Sequence, residues 1–259
     1  YITDDGIESR LFPLSINAIA DARIVQSKDF VVASLANPTL RYTHGVLGDA
    51  IEADGLYLSS IDSVVPLPQP YVAEGVSPMW VDLNGDGVDE VVVTLSSASD
   101  GGKLAAFKSN GEWFAASEGI GQGYRWRHQL AAAQFYSGGP VEISCIKTPH
   151  IGGVLEFFSL DSGSLKLRDS QIGYSTHKLG SRNLDMVLAI DIDNDTYPEL
   201  ILPSQDFQTL HFVKRAADAI SNVNEIKLPS FLTSNISAAI TGDSFTLLVG
   251  CGKTLLFSK

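Results

Sequence analysis

Asp82, Asn84, Asp86 and Glu90 set oxygen-bearing side chains at positions one, three, five and nine of one nine-residue stretch, and Val88 at position seven offers its backbone carbonyl. Gly85 and Gly87 permit the sharp turns that bring those oxygens round one point. Hard divalent cations want such a set. Calcium takes six to eight oxygens at about 2.3–2.6 Å, whereas magnesium demands a tighter octahedron and keeps more of its water. A second stretch repeats the spacing with Asp191, Asp193, Asp195, the carbonyl of Tyr197 and Glu199. There Asn194 and Thr196 replace the two glycines, and a β-branched residue resists unusual backbone angles. The expected chemistry is therefore cation binding at two calcium sites, with the first loop tighter than the second. The alternative is a pair of acidic hairpins without metal.

These loops sit in a repeated frame. Residues 79–95 (MWVDLNGDGVDEVVVTL) and 188–204 (LAIDIDNDTYPELILPS) each join a short apolar entry, an acidic loop and a β-branched or Leu-rich run. Weaker copies occupy 18–34, 130–146 and 236–250, so the first loop positions are 21, 82, 133 and 191. Behind each run come turn residues and further alternating apolar segments, such as GKLAAFKS and GGVLEFFSL, which read as strands. Four strands in about 50 residues is the size of a propeller blade. The fold expected is all-β: a single propeller domain over 1–259 with five four-stranded blades near 16–70, 76–118, 128–171, 186–229 and 236–259. The N-terminal run within 7–15 pairs with the last blade to close the ring and remove two exposed edges. An open or larger propeller and another all-β architecture remain alternatives. KRAADAISN (214–222) reads as helical, in the connection between the third and fourth strands of the fourth unit.

An EF-hand is rejected. It requires flanking helices and a bidentate acid at position twelve, and that position is Val93 in the first loop and Leu202 in the second. The DxNxDGxxE of 82–90 and the DxDxDxxxE of 191–199, each just before an apolar strand, resemble the FG-GAP or VCBS-type repeat of calcium-binding β-propellers, including the integrin α-subunit propeller. The resemblance implies that each loop joins the first two strands of a blade and binds Ca²⁺ there.

One further segment concentrates candidate ligand-binding residues: Tyr124, Arg125, Trp126, Arg127 and His128, in the connection entering the third blade. Arg beside aromatic rings suits a carboxylate, an acidic sugar or a partner loop. The plainer reading is that Trp126 covers the core rim and the arginines pair with surplus acids. His150, in the turn TPHIGG, is expected on the same face, away from the acidic loops. The other histidines, His44, His177 and His211, form no metal motif in sequence and read as satisfied polar residues.

Composition bounds the rest. A formal charge of -12, from 30 acidic against 18 basic residues, disfavours a nucleic-acid partner. No apolar run is long enough to span a membrane as a helix. Cys145 and Cys251 follow apolar runs and read as buried thiols, with a disulfide left open. Tyr1 in place of Met fits a trimmed or processed chain, and two calcium loops favour a compartment rich in Ca²⁺: extracellular, periplasmic or cell-surface. The function expected is a non-enzymatic, Ca²⁺-stabilised module for protein–protein or adhesive contact. The alternative is a carbohydrate-binding or polysaccharide-acting propeller, with a glycan as partner.

Overall fold

A computed structural model describes residues 2–3, 6–7, 16–181, 183–241, 244–252 and 254–258. Every regular element among them is a strand, and every pairing between strands is antiparallel. A small pair, β1 (Ile2–Thr3) and β2 (Gly6–Ile7), precedes the main sheets. A nine-stranded sheet follows: β3 (Val25–Gln26), β4 (Val32–Thr39), β5 (Glu52–Leu58), β6 (Ser63–Pro66), β7 (Val72–Ala73), β8 (Met79–Val81), β9 (Glu90–Ser97), β10 (Gly101–Phe107) and β11 (Trp113–Ala116). Then come two four-stranded meanders: β12 (Arg127–Gln134), β13 (Val141–Lys147), β14 (Val154–Asp161) and β15 (Ser164–Ile172), and after them β16 (Leu188–Ile190), β17 (Glu199–Pro203), β18 (Thr209–Ala216) and β19 (Ala219–Lys227). The last sheet holds β20 (Ser237–Thr241), β21 (Ser244–Gly250) and β22 (Thr254–Ser258).

Strand periodicity explains how the sheets stack. Successive side chains face opposite sides. Val91, Val93 and Leu95 pack with Leu35, Leu56 and Leu58, while Val92 packs with Ile143 and Phe158 of the next sheet. Leu155 and Phe157 likewise meet Leu200 and Leu202, whereas Ile201 faces Leu247 and Val249. Each core cluster thus lies between consecutive sheets, and each central strand is buried on both faces. That is why VVVTL and LILPS lack the polar alternation of a half-exposed strand.

The structure departs from expectation in several places. The first two expected units form one sheet, because β7 pairs with β5 through Ala53↔Ala73 and with β9 through Val72↔Ser96. In the degenerate first copy, β3 lies inside the segment expected to be a loop. Residues 214–222 are not helical: they form the tight end of the β18–β19 hairpin, with Ala216 opposite Ala219. Alanine-rich helix propensity is weak, and here it loses to ladder pairing and to the fully buried Arg215, which is drawn onto Glu142. The last sheet shows three strands among the described residues. The run 9–15 expected to complete it lies outside them. Cys145 and Cys251 are free thiols, buried in different core clusters.

Candidate functional site

The two acidic loops are the β8–β9 and β16–β17 hairpins, and their backbones are wired alike. Asp82 accepts from the N–H groups of Gly85 and Gly87 at 2.8 Å each, as Asp191 does from Asn194 and Thr196 at 2.8 Å each. Asp86 accepts from Val88 at 2.8 Å and Asp195 from Tyr197 at 2.9 Å. Glu90 reaches back to the N–H of Leu83 at 3.0 Å, and Glu199 to that of Ile192 at 3.0 Å. Positions four and six are left-handed in both loops: φ is 77° and 88° at Gly85 and Gly87, and 63° and 76° at Asn194 and Thr196. The glycines adopt this freely, whereas Thr196 is strained.

The donors are all oxygen and suit a hard cation. Asp82 and Asp191 are half-buried at the mouths of the loops, and Glu90 and Glu199 are buried beneath them. Burial holds both glutamate carboxyls above the usual carboxylate range, a cost that a neighbouring cation offsets. Asp191, Asp193 and Asp195 bring ligand atoms within 4.8 Å of one another. The loops differ in what already stands there. In the second, Lys214 Nζ lies 2.5 Å from Asp193, 2.6 Å from Asp195 and 3.1 Å from Glu199. In the first, Asn84 donates to Asp86 at 2.9 Å, and Lys28 pairs with Asp89 at 3.0 Å and stands 3.8 Å from Asp82.

The second acidic loop closes the first hairpin of its meander, and the first closes the β8–β9 hairpin. In an antiparallel meander the turn between strands two and three, and the exit from strand four, lie at the opposite end. There the connection 40–51, the turn 148–153 and the exit 173–187 meet. Gly180 N–H donates to the Val46 carbonyl at 2.9 Å, and Gly173 and Tyr174 donate to Gly153 at 3.0 and 3.2 Å. This end carries Tyr42, His44, Glu74, Tyr124, Trp126, His128, His150 and His177.

The candidates of the 124–128 segment separate. Tyr124 and Arg125 are exposed, and the Tyr124 ring lies 5.0 Å from Tyr42 and 5.6 Å from His44. Trp126 is buried with Val46, Leu47, Val76 and Leu184, and donates to the Glu74 carbonyl at 3.0 Å. Arg127 is buried against Glu156 at 2.8 Å and donates to the carbonyls of Gly102 and Glu118, which makes it a bracing residue between sheets. His128 stacks on Trp126 at 4.8 Å with its Nδ1 buried and without a hydrogen-bond partner, and burial pushes it down to about 3. His150 is half-buried, its Nε2 3.1 Å from His177 Nε2.

His44, Glu74 and His177 belong to this end and were not singled out from sequence. His44 Nδ1 lies 2.6 Å from Glu74 Oε1, and His177 is fully buried with Nδ1 2.9 Å from Thr176 Oγ1. One signal was available: Thr43-His44 and Thr176-His177 are each followed shortly by Leu-Gly, and Gly48 abuts Gly180. At this end lies a cavity of about 190 Å³, whose lining includes Glu74, Trp126, His128, Gln129 and the exposed ion pair of Arg23 with Asp185.

No family model and no curated protein sequence matches the chain. Among solved structures it is similar to a Bacillus licheniformis rhamnogalacturonan lyase, PL11, at 11% identity and TM-score 0.48 over 91% of this chain and 43% of that one. The exotype rhamnogalacturonan lyase YesX gives 12% identity and TM-score 0.46 over 90% and 56%. The quinohemoprotein alcohol dehydrogenase ADHIIG from Pseudomonas putida HK5 gives 12% and 0.42 over 88% and 49%. The chain thus spans about half the length of the solved chains it matches. No helix among the described residues is long and apolar enough to cross a membrane.

Proposed function

We propose that this chain is a β-propeller of the FG-GAP or VCBS type, held by calcium in its acidic hairpins, that serves outside the cytoplasm as a binding module for a protein partner. The observation that carries this reading is the shared wiring of the two loops, position by position, on equivalent hairpins of different sheets. In the first loop Asp82, Asn84, Asp86, the Val88 carbonyl and Glu90 would hold the ion, and in the second Asp191, Asp193, Asp195, the Tyr197 carbonyl and Glu199. The metal neutralises the buried glutamate and stiffens the hairpin. Five blades, with the N-terminal run completing the last sheet, would leave no open edge. Cytosolic calcium is too scarce for loops of the weaker extracellular class, which supports an extracytoplasmic setting. Melting in EGTA and in millimolar Ca²⁺ tests the metal: saturation a hundredfold above Kd adds about 2.7 kcal/mol. An unchanged midpoint removes calcium from the reading.

A second reading is supported by the opposite end. The hydrogen-bonded pair of Glu74 and His44 stands beside the exposed ring of Tyr124, near a polar cavity. Exposed aromatic faces beside carboxylates also suit sugars, so the alternative is a glycan-binding or polysaccharide-acting propeller. A glycan array with a polymer-degradation assay separates the two, and turnover of any polymer overturns the binding-module reading.

A further inference from the structure

We propose that His150, His177 and His44 form a binding site for a divalent transition metal of the zinc class, at the end of the molecule opposite the acidic loops. The geometry begins with a preformed pair. His150 Nε2 and His177 Nε2 are 3.1 Å apart. Two imidazoles on one zinc-class ion, each bound at about 2.0–2.1 Å, put their nitrogens roughly 3.0–3.4 Å apart.

The outer ring nitrogens of His177 and His44 are committed as metal-binding histidines require. His177 Nδ1 faces Thr176 Oγ1 at 2.9 Å, and His44 Nδ1 faces Glu74 Oε1 at 2.6 Å. An outer partner on one nitrogen fixes the ring and aims the other at the metal, and a carboxylate in that place raises the basicity of the ligand. The His44 loop is tied to the His177 loop by the hydrogen bond from Gly180 to Val46. The turn bearing His150 is pinned to the His177 segment by Ser175 Oγ and to the β17–β18 turn by Gln205 Nε2, both donating to the Pro149 carbonyl at 2.9 Å.

Among the described residues only Asp191, Asp193 and Asp195 already bring three donor atoms within 4.8 Å of one another. The three imidazoles do not bring their nitrogens within 4.8 Å of one another in the metal-free chain, so His44 would have to be drawn in as the third ligand when the metal binds. His44 sits partly buried on a loop whose contacts include the exposed Tyr124, whereas His177 is the fully buried anchor. The half-exposed side leaves room for water or a ligand donor on the remaining coordination position. The ligand chemistry differs from that of the acidic loops: imidazole selects zinc, cobalt, nickel or copper, while carboxylate and carbonyl oxygens select calcium.

Co²⁺ titration of the full chain in millimolar Ca²⁺ tests this, followed by visible absorption and calorimetry. The absorption of nitrogen-ligated cobalt differs from that of cobalt held by the oxygens of the acidic loops, so the two sites are told apart whether or not those loops bind calcium. The wild type is expected to develop the d–d band of nitrogen-ligated cobalt at micromolar metal, and Zn²⁺ to bleach it. His150→Gln, at a half-exposed turn, should weaken binding tenfold or more with its metal-free melting midpoint unchanged. Glu74→Gln should weaken it about tenfold through His44. Absence of cobalt binding in the wild type overturns the proposal, and so does binding of unchanged affinity in His150→Gln.

Discussion

Lys108 and Lys214 hold the same register position in their sheets, and only Lys214 reaches into an acidic loop. Val91 pairs with Phe107, and Leu200 with Val213, so each lysine falls opposite the glutamate at loop position nine. Lys108 turns away to Glu112 at 3.0 Å, while Lys214 bridges Asp193, Asp195 and Glu199. These partners hold the Lys214 ammonium well above the ordinary lysine range, with the hydrogen bond to Asp193 contributing most. The second loop thus carries a tethered cation that an arriving metal must displace.

Lys214→Met should therefore raise the Ca²⁺ affinity of the second loop about tenfold, the scale of a small cluster of partly exposed ion pairs. Calorimetric titration in an Asp82→Ala background isolates that loop. An affinity equal to that of Asp82→Ala alone would show that the ammonium does not compete.

In the wild-type background, Asp82→Ala should remove more total calcium affinity than Asp191→Ala. Gly85 and Gly87 accept left-handed φ without strain. Thr196 at φ 76° stores about 1–3 kcal/mol, to which Lys214 adds competition. Asp193 in place of Asn84 gives the second loop one more formal charge, which acts in the other direction. A tighter surviving site in Asp82→Ala than in Asp191→Ala would show that charge prevails over turn geometry.

The acidic loops were legible because their chemistry is local: spacing within nine residues decides where the oxygens and left-handed turns fall. The strand-rich frame was legible for a similar reason, since VVVTL and LILPS are buried on both faces. The histidine end was not. His44, His150 and His177 are more than a hundred positions apart at the extremes, and only the stacking of sheets brings their connections together. The 214–222 segment misled because its alanines speak for a helix, while the pairing partners of Lys214 and Arg215 lie on other strands and loops.

Burial, assisted by the Glu74 carboxylate and opposed by the Gly75 N–H, pushes the Glu52 carboxyl from its ordinary 4.5 up to about 9. The folded state then keeps a proton that the unfolded chain releases. This contribution is fully present below about pH 4.5 and is lost as pH rises towards about 9. The melting midpoint should fall across that window, and Glu52→Gln should flatten the fall. Parallel profiles for the two proteins would clear Glu52 of the effect.

A Cβ on Gly153 would fall inside van der Waals contact of the Tyr174 carbonyl oxygen, whereas one on Gly152 meets open space. Gly153→Ala should cost about 3 kcal/mol by overpacking. Gly152→Ala, with only its φ of 79° against it, should cost about 1 kcal/mol. Denaturant unfolding of both variants checks the order, and a reversal would mean that the Tyr174 backbone yields easily.

Ala73 pairs with Ala53 on one side and with Leu95 on the other, so the two-residue strand β7 stitches the chain from β3 to β11 into a single ladder. In mechanical and exchange experiments that stitch sets the size of the first cooperative block. Amides from about residue 32 to residue 116 should share one opening event and one protection plateau. Among the described residues the meanders of β12–β15 and β16–β19 share only the isolated bridge Tyr174↔Ser204 and no ladder, and they should open as smaller, separate blocks. Under tension applied at the two ends of the ladder, rupture would begin at β7, held by one residue pair on the β5 side and two on the β9 side.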